Sequence, residues 1–362
     1  MPRGARGCGV TLQGRLREGL QEPRARRLSS MSGSDLERPL LALTVGDPAG
    51  IGPEIAAAAL ADRRVGAAAR VVAVGPASAR PQGVEVLTPA EGPAWRAAGA
   101  DVGWIESDDP GGWVLGRAQA ASGRAALTAL RTGHDLAHAG LVDGLVTGPV
   151  SKEAMHLAGE EVEGQTELLG RWCGVDDHQM LGVAGKLRVL LLSRHLPLRE
   201  ALEEVSAERV HAHLHLLHGA LGELGFPAPR LALAGLNPHA GEAGLVGHEE
   251  REALEPAVRA ARAEGLAVSG PLPADTVFAR AAAGEFDGVL ALYHDQAFIP
   301  LKALGVDRTL TWIAGLPYLR VSPAHGVAFD IAGRGLARPE NLVFALVQAA
   351  EWAQSRRGAA AS

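Results

Sequence analysis

Three histidines stand directly after short apolar stretches of the sequence, at the points where polar and turn-forming residues begin. They are His195, His239 and His294. Neutral imidazoles from three separate loops can coordinate a divalent cation while leaving positions open for water and a substrate. Spacings of 44 and 55 residues carry no specificity, so each histidine alone is better explained as a loop residue that bonds to the backbone. Their shared placement makes a catalytic metal site an equally good hypothesis.

Lysine is scarce in this chain, which makes the remaining lysines informative. Lysine and arginine together number 35, and only Lys152, Lys186 and Lys302 are lysines. Arginine cannot replace a compact ammonium that must at times lose its proton, so a retained lysine favours a chemical requirement. Lys152 follows a Gly-Pro turn and is predicted to open a helix, where it would either meet a phosphate or carboxylate or be solvated.

A second set of histidines has a closer spacing. His211, His215 and His218 occupy positions i, i+4 and i+7, which places them on one face of a predicted helix. Because alanines and leucines lie around them, the three are better explained as the polar face of an amphipathic helix than as metal ligands.

Alternating strands and helices must position these residues. Short apolar runs alternate with Ala-, Leu- and Arg-rich stretches, which is typical of βαβ units and predicts an α/β fold with mostly parallel strands. We predict strands at Leu40–Val45, Arg70–Val74, Leu141–Val146, Leu187–Leu192, Arg230–Leu236 and Asp287–Leu292, and helices at 116–139, Leu198–Leu224, Glu249–Glu264 and Asn341–Ser355. In open α/β sheets a ligand lies beyond the carboxyl ends of the strands. The polar loops after four of these strands are therefore expected to converge on one cleft.

Composition and charge restrict the class of protein. Of the 362 residues, 47% are hydrophobic and 21% are charged, which excludes wholesale disorder. No apolar stretch approaches the roughly 20 residues of a transmembrane helix, and a net charge of −6 gives no indication of nucleic-acid binding. Cys8 and Cys173 are too few for a disulfide framework. We therefore expect a cytoplasmic protein with neither a membrane nor a nucleic acid as partner.

The length of the chain suggests two lobes, but no linker marks a boundary between them. We expect residues 39–355 to form a single catalytic unit of two interleaved α/β lobes with a cleft between them. Residues 1–30 hold seven arginines against Glu18 and Glu22 and lack the apolar segment of a secretory signal. Residues 1–38 are therefore expected to be a basic leader, either disordered or added by a start upstream of Met31, with a transit-like segment as the alternative.

Two glycine-rich segments resemble loops of a known class of enzyme. Gly46–Glu54 and His325–Gly335 are similar to the opening loop and the adenine-binding loop of the metal-dependent β-decarboxylating dehydrogenases, such as isocitrate and isopropylmalate dehydrogenases. Between them, GPVSK, GQTE, RHLPLR, LNPHAGE, GPLPADT, YHDQ and GLPYLR resemble the 4-hydroxythreonine-4-phosphate dehydrogenase family more specifically. The resemblance runs in order from Leu41 to Gln348, and it implies the isocitrate/isopropylmalate dehydrogenase-like fold.

The resemblance also implies roles for individual residues. The family's metal-binding histidines fall on His195, His239 and His294, and its dinucleotide loop places His325, Gly326 and Asp330 near the cofactor. The candidate substrate contacts are Lys152, Gln165, Thr166, Lys302, Thr311 and Arg320. The candidate catalytic residues are Lys302, Asp295 and Asp275; the aspartates can orient a histidine ligand or move a proton, although a turn residue is an equal alternative for Asp275. The family's site lies at a subunit interface, which implies a homodimer.

Three positions depart from the family pattern. Gln165 stands where the family has a histidine, Thr311 where it has an asparagine, and Ala324 where it has an aspartate. Glutamine still donates a hydrogen bond but carries no charge, and threonine lacks the amide. None of the three removes a metal ligand, so the departures bear on the choice of substrate and on the rate.

The implied activity is a metal-dependent, NAD- or NADP-linked oxidation of a small phosphorylated hydroxy acid. For the family substrate, 4-phosphohydroxy-L-threonine is oxidised and decarboxylated to 3-amino-2-oxopropyl phosphate in pyridoxal 5′-phosphate biosynthesis. The cation would be Zn2+, Mg2+, Co2+ or Mn2+. The alternatives are a dehydrogenase of D-threonate or D-erythronate 4-phosphate, a weakened paralogue, and, from another class, a phosphate acyltransferase. Segment His325–Gly335 argues against the acyltransferase, which needs no adenine loop.

Overall fold

The computed structural model describes residues 38–88, 101–161 and 164–361. Residues 1–37, nearly all of the expected basic leader, lie outside that part of the chain. Within the described residues, no helix is both long and apolar enough to cross a membrane.

Strands and helices alternate along the chain, as the apolar pattern predicts. The strands are β1 (Leu40–Thr44), β2 (Arg70–Pro76), β3 (Glu85–Leu87), β4 (Val102–Ser107), β5 (Gly144–Thr147), β6 (Gln179–Ala184), β7 (Leu187–Leu191), β8 (Leu231–Ala234), β9 (Val268–Leu272), β10 (Gly288–Ala291), β11 (Thr309–Ala314) and β12 (Leu319–Pro323). The α-helices are α1 (Gly52–Leu60), α2 (Arg63–Ala68), α3 (Ala120–His138), α4 (Lys152–Leu157), α5 (Gln165–Cys173), α6 (Leu198–Glu203), α7 (Ala207–Glu223), α8 (Glu255–Ala263), α9 (Ala274–Ala282), α10 (His294–Leu304) and α11 (Glu340–Ala361).

All twelve strands of the described residues belong to one sheet, in the order β3-β4-β2-β1-β5-β12-β11-β6-β7-β10-β8-β9. Neighbouring strands are parallel except along β12, β11, β6 and β7, where three successive pairs are antiparallel. The predicted α/β class with mostly parallel strands is thereby confirmed. The division of the chain into two interleaved lobes stays a prediction.

Two predicted helices are divided in the structure. The predicted helix Leu198–Leu224 consists of α6 and α7, because Ser206 caps α7 and its hydroxyl accepts a hydrogen bond from the Arg209 backbone N–H. The predicted helix Glu249–Glu264 begins with a π-helical turn, Glu250–Leu254, before continuing as α8.

The sheet is buried on both faces, because alternate residues of each central strand point to opposite sides. Leu41 and Leu43 of β1 belong to an apolar cluster that includes residues of α1, α7, α8 and α11. Leu40 and Ala42 belong to a second cluster, with residues of α3, α4 and α5. A third cluster packs β7 and β10 against α9 and α10. This core holds the strands firmly and leaves their carboxyl ends free to carry loops.

Gly123 lies where α3 packs against α4, and a Cβ at this position would be 2.0 Å from the Ala154 carbonyl oxygen. Gly123→Ala must force the two helices apart, so we expect it to lower the free energy of unfolding by about 1–3 kcal/mol. The matched control is Gly219→Ala in α7, where a Cβ would meet nothing within 4 Å. Because alanine is the better helix former, the control should raise the free energy by about 0.5–1 kcal/mol. Urea denaturation measures both, and equal stabilisation of the two variants would contradict the helix contact.

Candidate active site

Loops at the carboxyl ends of β5, β7, β10 and β12 border one cavity of about 360 Å3. The first turn of α5 and parts of α10 and β11 complete its wall. The predicted site residues that line it are Lys152, Gln165, Thr166, His195, His294, Lys302, Thr311, Arg320, His325 and Gly326. The fold therefore brings most of the predicted residues together at the edge of the sheet where a ligand is expected.

Two of the three candidate metal ligands lie side by side in this cavity. The ring centroids of His195 and His294 are 5.4 Å apart, within the roughly 5–6 Å expected for two imidazoles on one cation with metal–nitrogen distances of about 2.0–2.1 Å. The Nδ1 atom of His294 is 2.7 Å from Asp295 Oδ1. A carboxylate in this position fixes the ring and leaves Nε2 for a metal, so the pair fits a divalent cation.

The surroundings of His195 favour its neutral form. Burial lowers the pKa of His195 below the usual value for histidine, and the nearby Lys152 charge lowers it further. A neutral imidazole is the form that binds a metal ion. The same lysine that lines the cavity therefore favours the ligand form of the histidine.

The third candidate ligand, His239, is exposed and is not among the residues that line the cavity within this chain. It lies in the turn Pro238–Gly244 after β8, where residues 239–243 all have φ between 42° and 78°. Glycine adopts this left-handed region without strain, but the other four residues of the run are strained there. The turn therefore needs a fixed support.

Glu250 supplies that support. Its carboxylate is only 2% exposed and accepts hydrogen bonds from the backbone N–H groups of Leu236 and Asn237 at 2.9 and 2.7 Å and from Asn237 Nδ2 at 2.7 Å. Sequence reasoning missed Glu250, because it stands in an acidic run that is typical of a solvated helix. Asn237, one of only two asparagines in the chain, was the available signal for a polar partner.

Arg320 places a buried positive charge at the wall of the cavity. The residue is 3% exposed, and burial lowers the pKa of its guanidinium to about 10, so the group is still charged at neutral pH. Its Nη2 donates to Thr147 Oγ1 at 2.7 Å and to Gln165 Oε1 at 3.3 Å. Among the described residues no carboxylate forms an ion pair with it, and its Nε has no partner. Such an arrangement favours an anionic ligand.

Gln165 is held at both ends of its amide. Its oxygen accepts from Arg320 at 3.3 Å, and its Nε2 donates to the Gly148 carbonyl at 3.1 Å. Thr166 and Thr311, which line the same cavity, are buried. The amide is thus fixed in orientation before any substrate arrives.

The cavity carries an excess of positive charge. Lys152, Lys302 and Arg320 line it, while Glu167 is the one carboxylate among its described lining residues. Arg194 faces that carboxylate, with its Nε 3.4 Å from Glu167 Oε1. The charge of this acid is therefore balanced by a cation of the protein, although neither of its oxygens has a hydrogen-bond partner among the described residues.

The two glycine-rich segments that resemble dinucleotide-binding loops contact each other. Ile51 N donates to the Val327 carbonyl at 3.0 Å, and Glu54 accepts from the N–H groups of Gly333 and Gly335 at 3.2 and 3.1 Å. A smaller cavity of about 220 Å3 lies between these segments and the region around Trp113. The second segment borders both cavities, through His325 and Gly326 in the larger and Gly333 in the smaller. The predicted role of His325 and Gly326 in cofactor binding stays a prediction.

Asp295, whose side chain is 73% exposed, does not line the cavity, and two further candidates also lie outside it within this chain. Asp275 is exposed in the first turn of α9, and Asp330 is exposed in a 3₁₀ turn. Neither lines either cavity, so their predicted roles stay predictions.

Comparisons with known proteins agree on one family. The profile of the family described as pyridoxal phosphate biosynthetic protein PdxA matches residues 61–349. The chain is 40% identical over 327 residues to D-threonate 4-phosphate dehydrogenase of Cupriavidus necator, covering 88% of this chain and 98% of that protein. Identity to the Bordetella bronchiseptica protein of the same name is 40% over 331 residues, covering 87% and 93%. A crystal structure of 4-hydroxythreonine-4-phosphate dehydrogenase from Klebsiella pneumoniae superposes with a TM-score of 0.78 at 39% identity, covering 87% of this chain and 100% of that one.

The support of the turn by Glu250 can be tested directly. Glu250→Gln replaces one accepting oxygen by an amide NH2 that cannot accept, so a buried backbone N–H or the Asn237 amide loses its partner. We expect the free energy of unfolding to fall by about 1–3 kcal/mol and amide hydrogen exchange to accelerate in residues 236–247. Glu252→Gln, an exposed glutamate on the same turn, is the control and should leave exchange unchanged. Identical exchange in the two variants would rule out the supporting role.

Proposed function

This chain belongs to the family of the pyridoxal phosphate biosynthetic protein PdxA, and we propose that it oxidises and decarboxylates D-threonate 4-phosphate. As a member it is a dehydrogenase of a phosphorylated four-carbon hydroxy acid. Oxidation of the C3 hydroxyl by NAD or NADP gives a β-keto acid. Loss of CO2 and protonation at C2 then leave dihydroxyacetone phosphate.

The charge balance of the cavity carries this choice of substrate. D-threonate 4-phosphate presents a phosphate, a carboxylate and a neutral hydroxyl at C2, which match Lys152, Lys302 and Arg320. 4-Phosphohydroxy-L-threonine has an ammonium at C2, and an ammonium inside a cationic cavity needs an acidic partner. The one carboxylate among the described lining residues, Glu167, faces Arg194. A C2 hydroxyl therefore suits the cavity better than an ammonium.

4-Phosphohydroxy-L-threonine is the second candidate. It is favoured by the similarity to the Klebsiella pneumoniae structure, whose name refers to this substrate. The two candidates share the oxidation at C3 and the loss of CO2. They differ only in the group at C2, so one comparison of substrates separates them.

We assign the cation to His195, His294 and His239. A divalent cation held there would act as a Lewis acid that lowers the pKa of the C3 hydroxyl and accepts electron density as CO2 leaves, and a bound nicotinamide would supply the hydride acceptor. Asp295 orients the His294 ring through the 2.7 Å contact at Nδ1. Since His239 does not line the cavity of its own chain, the proposed homodimer would bring this loop to the cavity of the partner subunit.

The three cationic side chains of the cavity have separate roles in the proposed reaction. Arg320, which has an unpartnered Nε, binds an anionic group of the substrate, and Thr147 and Gln165 hold its guanidinium in place. Lys152 adds a positive charge near His195. Lys302, with its Nζ 5.7 Å from the centre of the Phe298 ring, is our candidate donor of the proton that reaches C2 after CO2 has left.

The proposal is tested by comparing substrates under controlled metal content. The enzyme is stripped with a chelator and resupplied with Zn2+, Co2+, Mn2+ or Mg2+. Its substrates are D-threonate 4-phosphate, D-erythronate 4-phosphate and 4-phosphohydroxy-L-threonine, and formation of NADH or NADPH is followed. We expect metal-dependent turnover with the highest kcat/KM for D-threonate 4-phosphate, by about tenfold or more, which corresponds to about 1.4 kcal/mol.

A higher kcat/KM for 4-phosphohydroxy-L-threonine would replace our substrate by the second candidate. Absence of turnover on all three, with metal bound, would instead indicate a weakened paralogue and contradict the proposal.

Removal of His239 tests the metal assignment. We expect His239→Ala to abolish turnover and metal retention while the far-UV circular dichroism spectrum stays unchanged, because the side chain is exposed within its own chain. His248→Ala, an exposed histidine nine residues further along, is the control and should retain both. Full activity of the chelated wild-type enzyme with no added metal would overturn the assignment.

A further inference from the structure

A second cluster of metal-ligating side chains lies on the surface, away from both cavities. His211 and His215 stand one turn apart on α7, and Glu264 directly follows α8. The Nε2 atoms of His211 and His215 are 3.0 and 2.6 Å from the same carboxylate oxygen, Glu264 Oε2. The two rings have centroids 4.7 Å apart. All three side chains thus point at one small volume.

The donor atoms are spaced for one cation. One ligand atom from each residue lies within 4.8 Å of the other two, and no other group of three His, Cys, Asp or Glu among the described residues meets this condition. Tetrahedral zinc, with bonds of about 2.0–2.2 Å, needs donor atoms roughly 3.2–3.5 Å apart. The carboxylate must therefore move back by about half an ångström. Its side chain is 49% exposed, so rotation into solvent can provide this movement.

The helices hold the donors in place before any cation binds. Val210 and Leu214 of α7 pack with Ala257, Val258 and Ala261 of α8 in one buried cluster. The i, i+4 spacing keeps both imidazoles on the same helix face. Because the helices already fix the backbone at these three residues, cation binding orders only their side chains, and little entropy is lost.

We propose that His211, His215 and Glu264 form a second metal site for a transition-metal cation of the zinc class. Two imidazoles and one carboxylate suit Zn2+ or Co2+ better than Mg2+ or Ca2+, which prefer oxygen ligands alone. A water molecule completes the coordination, as at zinc sites with three protein ligands. The cation links the beginning of α7 to the end of α8 and stabilises the folded state by mass action.

The test measures how many Co2+ ions bind per chain in a variant that lacks His294, a proposed ligand of the catalytic metal. In His294→Ala protein, Co2+ binding is followed by visible absorption and by equilibrium dialysis. Adding His211→Ala and His215→Ala should remove one Co2+ per chain or weaken its binding by at least about tenfold, the range found even when groups behind a metal ligand are lost. Glu264→Gln should weaken it in the same direction. His248→Ala removes an exposed histidine outside the cluster and should change nothing.

Thermal unfolding provides a second measurement that does not depend on catalysis. Saturating Zn2+ should raise the Tm of His294→Ala protein and should raise it less once His211 and His215 are also alanine. Circular dichroism without metal checks that the variants are folded. Equal Co2+ stoichiometry and affinity, together with an equal Tm shift, would overturn the proposal whatever the enzyme's substrate proves to be.

Discussion

The buried guanidinium of Arg320 has two hydrogen-bond acceptors, Thr147 and Gln165, and no carboxylate of the described residues forms an ion pair with it. Arg320 is the second residue of β12, which lies between β5 and β11 in the sheet. Taking an unpaired charge out of water is costly, and the cost is recovered when an anion enters the cavity. The surrounding loops add cations rather than acids. The folded protein is thus prepared to bind an anion, because the Arg320 guanidinium, which lacks an acidic partner among the described residues, belongs to a central strand.

A buried carboxylate has the complementary role at the loop after β8. Glu250 fixes Leu236 and Asn237, and the chain then passes through five consecutive residues with positive φ. A run of this kind persists only when its surroundings determine it. The strain presents His239 on the surface of its own chain, whereas His195 and His294 face the cavity. The exposure of His239 agrees with our proposal that it acts in the cavity of the partner subunit.

Much of the site could be predicted from the sequence, because parallel strands end at one edge of a sheet and their loops must meet there. Histidines after β7 and β10, the lysines at 152 and 302, and the HG segment after β12 all border the cavity. Glu250 could not be predicted, since its acidic run has the pattern of a solvated helix. Six strands were also not predicted, namely β3, β4, β6, β9, β11 and β12. Of these, β6 pairs with β7 across the two-residue turn Gly185-Lys186, with no helix between them.

The sequence by itself determined the α/β class, the positions of six of the twelve strands in the described residues and the identity of the loops that carry polar residues. These follow from local periodicity and turn residues, which each segment contains within itself. Only the tertiary structure decided that Arg320 has no acidic partner among the described residues and that Glu167 faces the cation Arg194. It also decided that His211 and His215 meet Glu264, about fifty residues further along the chain. Distances between side chains remote in sequence depend on how helices and strands pack, and local pattern does not encode them.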